Sequence, residues 1–199
     1  MAKKNTRNTR GRIVSAAWRL FYEQGYEDTT VEEIIELSHT SRGSFYHYFN
    51  GKDALLSTLS DLFDEKYESL QPQLAGGMTA MEQLLFLNRE LFTMIENSVS
   101  RDLLARLLST QLVTSGERHL LDHDRIYYRL LRRIISAGQA NRELTDREST
   151  EALVKVYALC ERALMYDWCL CDGDYSLSQY AEKMLPYFLT GFLPNENMK

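Results

Sequence analysis

The sequence predicts an all-α protein of about nine helices, with an N-terminal three-helix helix-turn-helix domain followed by a C-terminal helical bundle. Three observations support this prediction. Apolar residues recur at three- and four-residue steps along most of the 199 residues. Only 3 prolines and 10 glycines occur, too few for the many turns of a sandwich or barrel. The composition, 44% hydrophobic and 26% charged, is that of a globular protein that needs no disulfide or metal to fold.

The first three predicted helices are short and closely spaced. The first runs from Arg12 to Gln24 and stops at Gly25, a residue type that closes helices. The second begins at Thr30, because Thr30-Val31-Glu32-Glu33 has the pattern of a capping box. It ends near Ser38-His39-Thr40, and the third helix runs from Ser41 to Phe49. A gap of about three residues between the last two is typical of a helix-turn-helix.

The rest of the chain is predicted to form one connecting helix and a helical bundle. A helix is predicted from Lys52 to about Ser69, and residues 71–77 read as a linker. The domains are therefore expected at 1–51 (basic arm and helix-turn-helix), 52–75 (connecting helix and linker) and 76–199 (ligand binding and dimerisation). The bundle helices are predicted at about 78–97, 101–114, 122–140, 146–171 and 176–193.

The charge distribution is uneven. The net charge of −5 argues weakly against a nucleic-acid partner. The first 12 residues, however, carry five basic side chains and no acidic one, which is the electrostatic pattern of a polyanion-binding arm. The alternative for this arm alone is a solvated, disordered terminus. Its basic residues are Lys3, Lys4, Arg7, Arg10 and Arg12.

No targeting signal is recognisable. The start of the chain has no apolar segment typical of a secretory signal, and no uncharged run approaches the roughly 20 residues of a membrane helix. We therefore expect a cytoplasmic protein with reduced thiols and no membrane partner.

The segment from Ser41 to Phe49 carries the most chemical information. Phe45 and Phe49 are four residues apart and should face inward. An outward set of Arg, hydroxyl, aromatic and His side chains suits DNA, because Arg can bind guanine and hydroxyls can reach phosphates. The alternative is a three-helix packing unit with no role in DNA binding. The predicted outward residues are Arg42, Ser44, Tyr46, His47 and Tyr48, with Thr29, Thr30 and Lys52 placed for phosphates.

Four spaced elements carry a family resemblance. They are Gly25-Tyr26, Thr29 to Ile34, Ser41 to Phe49 and Lys52 to Leu56. Their order and spacing resemble the N-terminal domain of the tetracycline-repressor (TetR/AcrR) family. The resemblance covers about residues 8–60. The resemblance implies a homodimeric DNA-binding repressor with an effector-binding C-terminal domain. It also implies that Arg42, Ser44, Tyr46, His47 and Tyr48 face DNA, with Thr30 and Lys52 on phosphates.

The turn departs from the family pattern. Where the family usually has Ala-Gly-Val, this chain has Ser38-His39-Thr40. Because His39 replaces a glycine, we expect it to adopt a positive φ, which His tolerates better than most residues.

The helix from Glu151 to Cys171 is apolar nearly all round, which predicts burial on more than one side. One side can pack on the protein's own core and the other on a second copy, with the last helix as companion. The family resemblance supports such a four-helix dimer interface. The predicted interface residues are Val156, Cys160, Leu164, Trp168, Met184, Tyr187 and Phe188.

An effector site is predicted between the bundle helices. The candidate lining residues are Phe86, Tyr127, Tyr128, Tyr157 and Trp168, and the alternative for each is ordinary core. No cofactor or metal is expected. Cys169 and Cys171 form a weak metal or redox pattern, and buried small hydrophobes are the favoured interpretation. His119 and His123 form another weak metal pair, and a solvated helix start capped by Asp122 is favoured.

The resulting prediction is a one-component transcriptional regulator that binds a near-palindromic double-stranded operator as a homodimer and responds to an unknown small molecule. Two alternatives belong to other classes. A small helical enzyme would be favoured by a clustered Glu-x-x-His pair in the bundle, and the C-terminal segments contain none. A helical protein-binding adaptor would need neither the basic arm nor an outward Arg42.

Overall fold

The computed structural model describes residues 3–74, 77–113 and 118–194, with side chains from residue 9 onward. Within these residues the chain is all-α, as predicted, with an N-terminal helix-turn-helix and a C-terminal helical domain. The α-helices are α1 (Lys3–Gln24), α2 (Val31–Leu37), α3 (Arg42–Tyr48), α4 (Lys52–Leu56), α5 (Leu59–Leu70), α6 (Ala80–Ser98), α7 (Arg101–Val113), α8 (Ile126–Ala140), α9 (Thr150–Leu170) and α10 (Leu177–Phe188); 3₁₀ turns span Gln71–Leu74, His119–Leu121 and Thr190–Phe192.

The N-terminal unit is built around α1. Helices α2 and α3 both pack against α1 and against each other. The apolar side chains at the centre of this unit are fully buried, which fixes the three helices as one body. They include Ile13, Phe21, Ile34 and Phe45.

The connecting helix is divided in two. The prediction of one helix from Lys52 to Ser69 is wrong, because Ser57 and Thr58 form a turn between α4 and α5. Both hydroxyls donate to carbonyls three residues earlier, Ser57 at 2.8 Å and Thr58 at 2.6 Å, and such bonds compete with the helical pattern. The Thr58 hydroxyl also accepts from the indole of Trp18 at 2.9 Å, which ties the turn to α1.

The C-terminal bundle packs α6 against α5, α8 and α10, and packs α9 against α7, α8 and α10. Gly138 of α8 is required where α8 meets the start of α6, since a Cβ there would lie 2.5 Å from the Cβ of Ala80. Serine or threonine N-caps begin α6, α9 and α10, as helix-start rules predict. No described helix combines the length and apolarity needed to span a bilayer.

Four further predicted boundaries are wrong, and one lies outside the described residues. Helix α1 begins at Lys3 rather than at Arg12, and helix α9 begins at Thr150 rather than at 146, because Ser149 caps it. Helix α8 begins at Ile126 rather than at 122, because Asp122 accepts the Asp124 amide at 2.9 Å in a turn of its own. Helix α10 ends at Phe188, and the rest of the predicted segment is a 3₁₀ turn. The predicted break at 114–116 falls in the range 114–117, outside the described residues.

Candidate nucleic-acid interface and C-terminal cavity

Helix α3 is anchored at its start and along its inner face. The Ser41 side chain accepts the Ser44 amide at 3.1 Å and caps the helix. Phe45 and Phe49 are buried, with ring centroids 5.9 Å apart. This anchoring fixes which side of a short helix faces outward.

The opposite side of α3 is open to solvent. Arg42, Tyr46 and His47 are exposed, and Ser44 and Tyr48 are half-buried. The structure therefore places all five predicted residues away from the inner face. Their contact with DNA stays a prediction.

Arg42 is held by neighbouring side chains. Its guanidinium donates to Glu32 of α2 at 2.9 Å and lies 5.6 Å from the centroid of the Tyr46 ring. Arg42 and Glu32 are both mostly exposed, so the ion pair contributes little to stability and is easily exchanged for another partner.

The turn between α2 and α3 uses the predicted backbone conformation. His39 has φ of 50°, in the left-handed region, so this prediction is confirmed. The hydroxyls of Ser38 and Thr40 are hydrogen-bonded at 2.8 Å across the turn, and Arg12 donates to the His39 carbonyl at 3.4 Å. These bonds hold the turn in place of the usual small residues.

The start of α2 has the predicted capping box. The Thr30 side chain accepts the Glu33 amide at 3.2 Å, and the Glu33 carboxylate accepts the Thr30 amide at 2.7 Å. These bonds lower the pKa of Glu33. Thr30 is exposed and remains a candidate phosphate contact, whereas Thr29 is buried with its hydroxyl donated to Gly25 at 2.7 Å.

Lys52 has a different role from the predicted phosphate contact. Its ammonium donates to the carbonyls of Tyr26, Glu27 and Thr29 at 2.6, 3.0 and 3.0 Å. These bonds use all three donors of the ammonium. Lys52 therefore fastens the loop between α1 and α2 to the start of α4, which leaves no free donor on its ammonium for the predicted phosphate contact.

The basic arm lies at the start of α1. Arg10 pairs with Asp61 at 3.3 Å and lies 5.6 Å from the Phe49 ring centroid. Arg12 reaches the turn, so these two cations brace the N-terminal unit. The side chains of Lys3, Lys4 and Arg7 lie outside the described residues.

A cavity of about 30 Å³ lies inside the C-terminal bundle, enough for one water molecule. Its wall is mostly apolar, with a polar corner at α5, α8 and α9. The lining residues are Phe63, Tyr67, Leu91, Leu104, Leu107, Leu108, Leu120, Arg125, Tyr127, Ala158, Glu161, Arg162 and Met165.

The polar corner of the cavity centres on Glu161, whose side chain is buried. One carboxylate oxygen accepts from the Asn88 amide at 2.9 Å and the other from the Tyr127 hydroxyl at 2.6 Å. Burial raises the pKa of Glu161, while these bonds and the charge of Arg162 oppose the rise. In the sequence Glu161 is one of four charged residues between positions 152 and 170, and no pattern distinguishes it from the other three.

Tyr67 presents an unsatisfied hydroxyl to the same corner. The side chain is buried, and its hydroxyl has no hydrogen bond of ordinary length among the described groups. Burial and the nearby Glu161 raise the pKa of Tyr67, so it stays protonated. A buried polar group without a partner is costly, which makes this corner a candidate binding site.

Of the five predicted effector residues, only Tyr127 lines this cavity. The buried Tyr157 and Tyr128 donate instead to the carbonyls of Leu84 and Leu120. Phe86 and Trp168 do not line this cavity: Phe86 faces an outer groove beside α10, and Trp168 donates to the Tyr175 carbonyl at 2.9 Å.

Comparisons with known proteins identify the N-terminal unit. The sequence profile described as "Bacterial regulatory proteins, tetR family" matches residues 13–59, which contain α2, α3 and the turn between them. Over these residues the chain is similar to the TetR family of bacterial regulatory proteins. TtgR, an HTH-type transcriptional regulator of Pseudomonas putida, is 38% identical over 68 residues, or 34% of this chain and 32% of TtgR. The match thus spans about a third of that relative.

Other known regulators match the chain along most of its length. HbdR, an HTH-type transcriptional regulator of Aromatoleum, is 28% identical over 193 residues, covering 92% of this chain and 80% of HbdR. The structure of Thermus thermophilus FadR, a TetR-family repressor in complex with lauroyl-CoA, has a TM-score of 0.72 and 26% identity, with 96% of this chain and 98% of FadR covered.

Among the described residues, α9 and α10 carry seven exposed large apolar side chains, which together form the α9/α10 face. Leu170 is 65% exposed and Tyr187 is 72% exposed. Surface faces of this kind usually mark an interaction site. The α9/α10 face consists of Val156, Leu159, Tyr166, Leu170, Tyr180, Tyr187 and Phe188.

The predicted dimer residues lie only partly on this face. Val156, Tyr187 and Phe188 belong to it, and Cys160 and Met184 are half-buried beside the core. Leu164 and Trp168 are 3% and 7% exposed, so their assignment to the interface is wrong. They point into the protein's own core, and Leu159 and Tyr166 take the outer positions.

Among the described residues no group of three or more His, Cys, Asp or Glu side chains could hold a metal ion, and Cys171 is exposed, so its interpretation as a buried small hydrophobe is wrong. His119 and His123 lie on either side of a turn rather than on one helix, and His123 stacks on Tyr128 with centroids 4.6 Å apart. Burial raises the pKa of Cys169 to about 11, which disfavours the reactive thiolate.

Proposed function

We propose that this protein is a homodimeric transcriptional repressor that binds a near-palindromic operator and changes its DNA affinity when a small molecule occupies the C-terminal cavity. One observation carries the proposal: α3 is buried on its Phe45–Phe49 side and exposed on its Arg42–Tyr46 side, within the segment matched by the family profile. Because such a regulator acts on the chromosome, we propose a cytoplasmic location.

In this proposal α3 enters the major groove and each outward residue has a role. Arg42 leaves Glu32 and donates to a guanine, the commonest specific contact in DNA complexes. Tyr46 and His47 contact bases or phosphates beside it, and the half-buried Ser44 and Tyr48 reach the backbone from the edges of the helix. Thr30 binds a phosphate at the start of α2.

The α9/α10 face would join two copies through a two-fold axis. Each copy contributes the same two helices, so the face is self-complementary in the way that a symmetric dimer requires. Two α3 helices about 34–36 Å apart would then read two half-sites one turn apart. A single seven-residue helix offers too few base contacts for comparable specificity.

The effector half of the proposal rests on the cavity and on the related fold of FadR, which binds an acyl-CoA. A ligand can regulate only if it binds the DNA-competent and DNA-free arrangements with different affinity. Helix α7 lines the cavity through Leu104, Leu107 and Leu108, and its Arg106 pairs with Glu27 in the N-terminal unit. A ligand that displaces α7 would therefore act on the orientation of α3.

The deciding experiment is a footprint of the purified protein on genomic DNA, followed by titration of the protected site at several salt concentrations. We expect a near-palindromic footprint and an affinity that falls steeply with salt, because phosphate contacts release counterions. Absence of a protected site, or affinity independent of salt, would overturn the proposal.

A further inference from the structure

The buried carboxylate of Glu161 forms no ion pair with any described side chain, and the only nearby charge that favours its ionised form is that of Arg162. The residue is 2% exposed. Buried charges in proteins are normally paired, because an unpaired charge loses its hydration without compensation. Two hydrogen bonds reduce this cost at Glu161 but do not neutralise it.

The two arginines at the cavity are engaged elsewhere. Arg125 makes two bonds to Asp64, at 2.9 and 3.1 Å, and one to the Ser60 carbonyl at 3.0 Å, so its charge is balanced. Arg162 is half-buried at the rim and donates to the Tyr128 hydroxyl at 3.4 Å. Neither forms an ion pair with Glu161.

Aromatic rings surround the same carboxylate. Tyr127 donates to it, and the Tyr67 ring lies 5.1 Å from the Tyr127 ring, centroid to centroid. Tyr67 lines the same cavity, and its buried hydroxyl makes no hydrogen bond of ordinary length with the described groups. Ring faces together with a carboxylate form the chemistry that binds organic ammonium groups, and a free hydroxyl can accept an ammonium proton.

We propose that the cavity beside Glu161 binds an apolar molecule carrying one protonated amine, with the ammonium paired to Glu161 and lying against Tyr67 and Tyr127. The remainder of the molecule lies among the leucines of α7. This inference rests on the proposed regulatory function and names the class of its effector.

The alternative of an acyl chain, taken from the FadR ligand, fits these residues less well. A hydrocarbon tail in this corner supplies no charge to Glu161 and no acceptor or donor to Tyr67. A carboxylic acid would place like charge beside Glu161. The small volume of the empty cavity also requires the α7 leucines to move apart as a ligand enters, which is the displacement that regulation needs.

The test compares ligands that differ only in their head group. Calorimetric titration of the wild-type protein with n-hexylamine, n-hexanol, hexanoate and lauroyl-CoA should give binding of the amine at least about tenfold tighter than that of the alcohol or the acid. Equal or tighter binding of any of the other three, or no binding of the amine, overturns the proposal.

Two variants locate the site. Glu161→Gln keeps the shape of the side chain and removes its charge, so the preference for the amine should disappear. The control is Glu151→Gln on the same helix, an exposed residue paired with Arg132, which should bind n-hexylamine as the wild type does. Circular dichroism establishes that both variants fold. An undiminished amine preference in Glu161→Gln would also overturn the proposal.

The footprint separates this proposal from the proposed function. A protected operator without a preference for the amine would refute the proposed class of ligand, while the proposed repressor function would stand. Amine binding without a protected operator would refute the proposed repressor function, while the proposed amine-binding site would stand.

Discussion

Arg106 of α7 places its guanidinium 4.9 Å from the centroid of the Tyr26 ring, at the loop that leads into the helix-turn-helix. The Lys52 ammonium lies 4.4 Å from the same centroid, and the Tyr26 hydroxyl donates to Asp53. One aromatic ring thus joins the C-terminal bundle to the N-terminal unit. Sequence patterns gave no signal for this contact, because its residues come from three separate segments.

Removing the Arg106 contact should loosen the loop without unfolding the protein. Arg106→Gln deletes an exposed cation–π contact and an ion pair with Glu27, together worth about 0.5–1 kcal/mol. We expect faster amide hydrogen exchange over residues 25–30 and a nearly unchanged unfolding midpoint. The control is Arg89→Gln, which removes a similar contact with the half-buried Phe86 on the outer side of α6 and should leave that exchange unchanged.

Arg42→Ala should weaken binding to the operator by about 1–3 kcal/mol and relax base preference at one position. Stability should not change, because the Glu32 pair is exposed. Titration against the operator and its single-base variants measures both effects. Arg19→Ala, which breaks an equally exposed pair with Glu23, is the control. Intact base preference in Arg42→Ala would remove Arg42 from base reading.

Lys52→Gln distinguishes a structural lysine from a phosphate contact. Loss of three charged hydrogen bonds to carbonyls should destabilise the N-terminal unit by roughly 1.5–3 kcal/mol. The dependence of DNA affinity on salt should keep its slope, measured where the variant is folded. A phosphate contact would instead lower the slope by about 1 with no loss of stability, and that result would contradict the assignment made here.

Tyr187→Glu should convert the dimer to a monomer. It places a charge at the centre of an apolar face that would be desolvated in the dimer. Light scattering at micromolar concentration should give half the wild-type mass. Tyr22→Glu on α1 is the matched control, since both tyrosines are 72% exposed and only Tyr187 lies on the α9/α10 face. A monomeric wild-type protein would refute the dimer outright.

Titration of Glu161 should make unfolding easier as pH rises. A glutamate in the unfolded chain loses its proton near pH 4.5, whereas burial raises the pKa of Glu161 in the folded protein. Just above that pH the folded state therefore binds more protons than the unfolded state. The free energy of unfolding then falls with rising pH, by at most about 1.4 kcal/mol per pH unit for one proton.

Urea unfolding of the wild type and Glu161→Gln between about pH 5 and pH 8 measures this effect. The stability of the variant relative to the wild type should increase with pH over the lower part of this range. For the exposed control Glu151→Gln, the difference in free energy of unfolding from the wild type should not change with pH. A constant difference for Glu161→Gln would mean that its carboxyl titrates alike in both states.

The sequence predicted those parts of the fold that depend on local rules. The capping box at Thr30 and Glu33, the positive φ of His39 and the inward Phe45 and Phe49 each follow from neighbouring residues. The break at Ser57–Thr58 was missed, because apolar periodicity continues through it and the hydroxyl bonds to the backbone are visible only in the structure.

Predictions for α9 were less accurate for a related reason. A helix that is apolar all round gives no preferred direction, so spacing alone assigned Leu164 and Trp168 to the wrong side. Glu161 gave better evidence of which side of α9 is buried, because it lies four residues from Tyr157 and therefore on the same face. Burying an acid is costly unless it has polar partners, so its position on that face indicates a polar site. Its partners, Asn88 and Tyr127, come from two other helices and had no pattern to reveal them.

Helix α7 divides two tasks between its sides. Its leucines form one wall of the cavity, and Arg106 reaches the DNA-binding unit from a position between them in sequence. Substitutions at Leu104, Leu107 and Leu108 can therefore change which molecules bind in the cavity, while the contact of Arg106 with the N-terminal unit is kept. A library restricted to those three positions is the natural starting point for building biosensors on this scaffold.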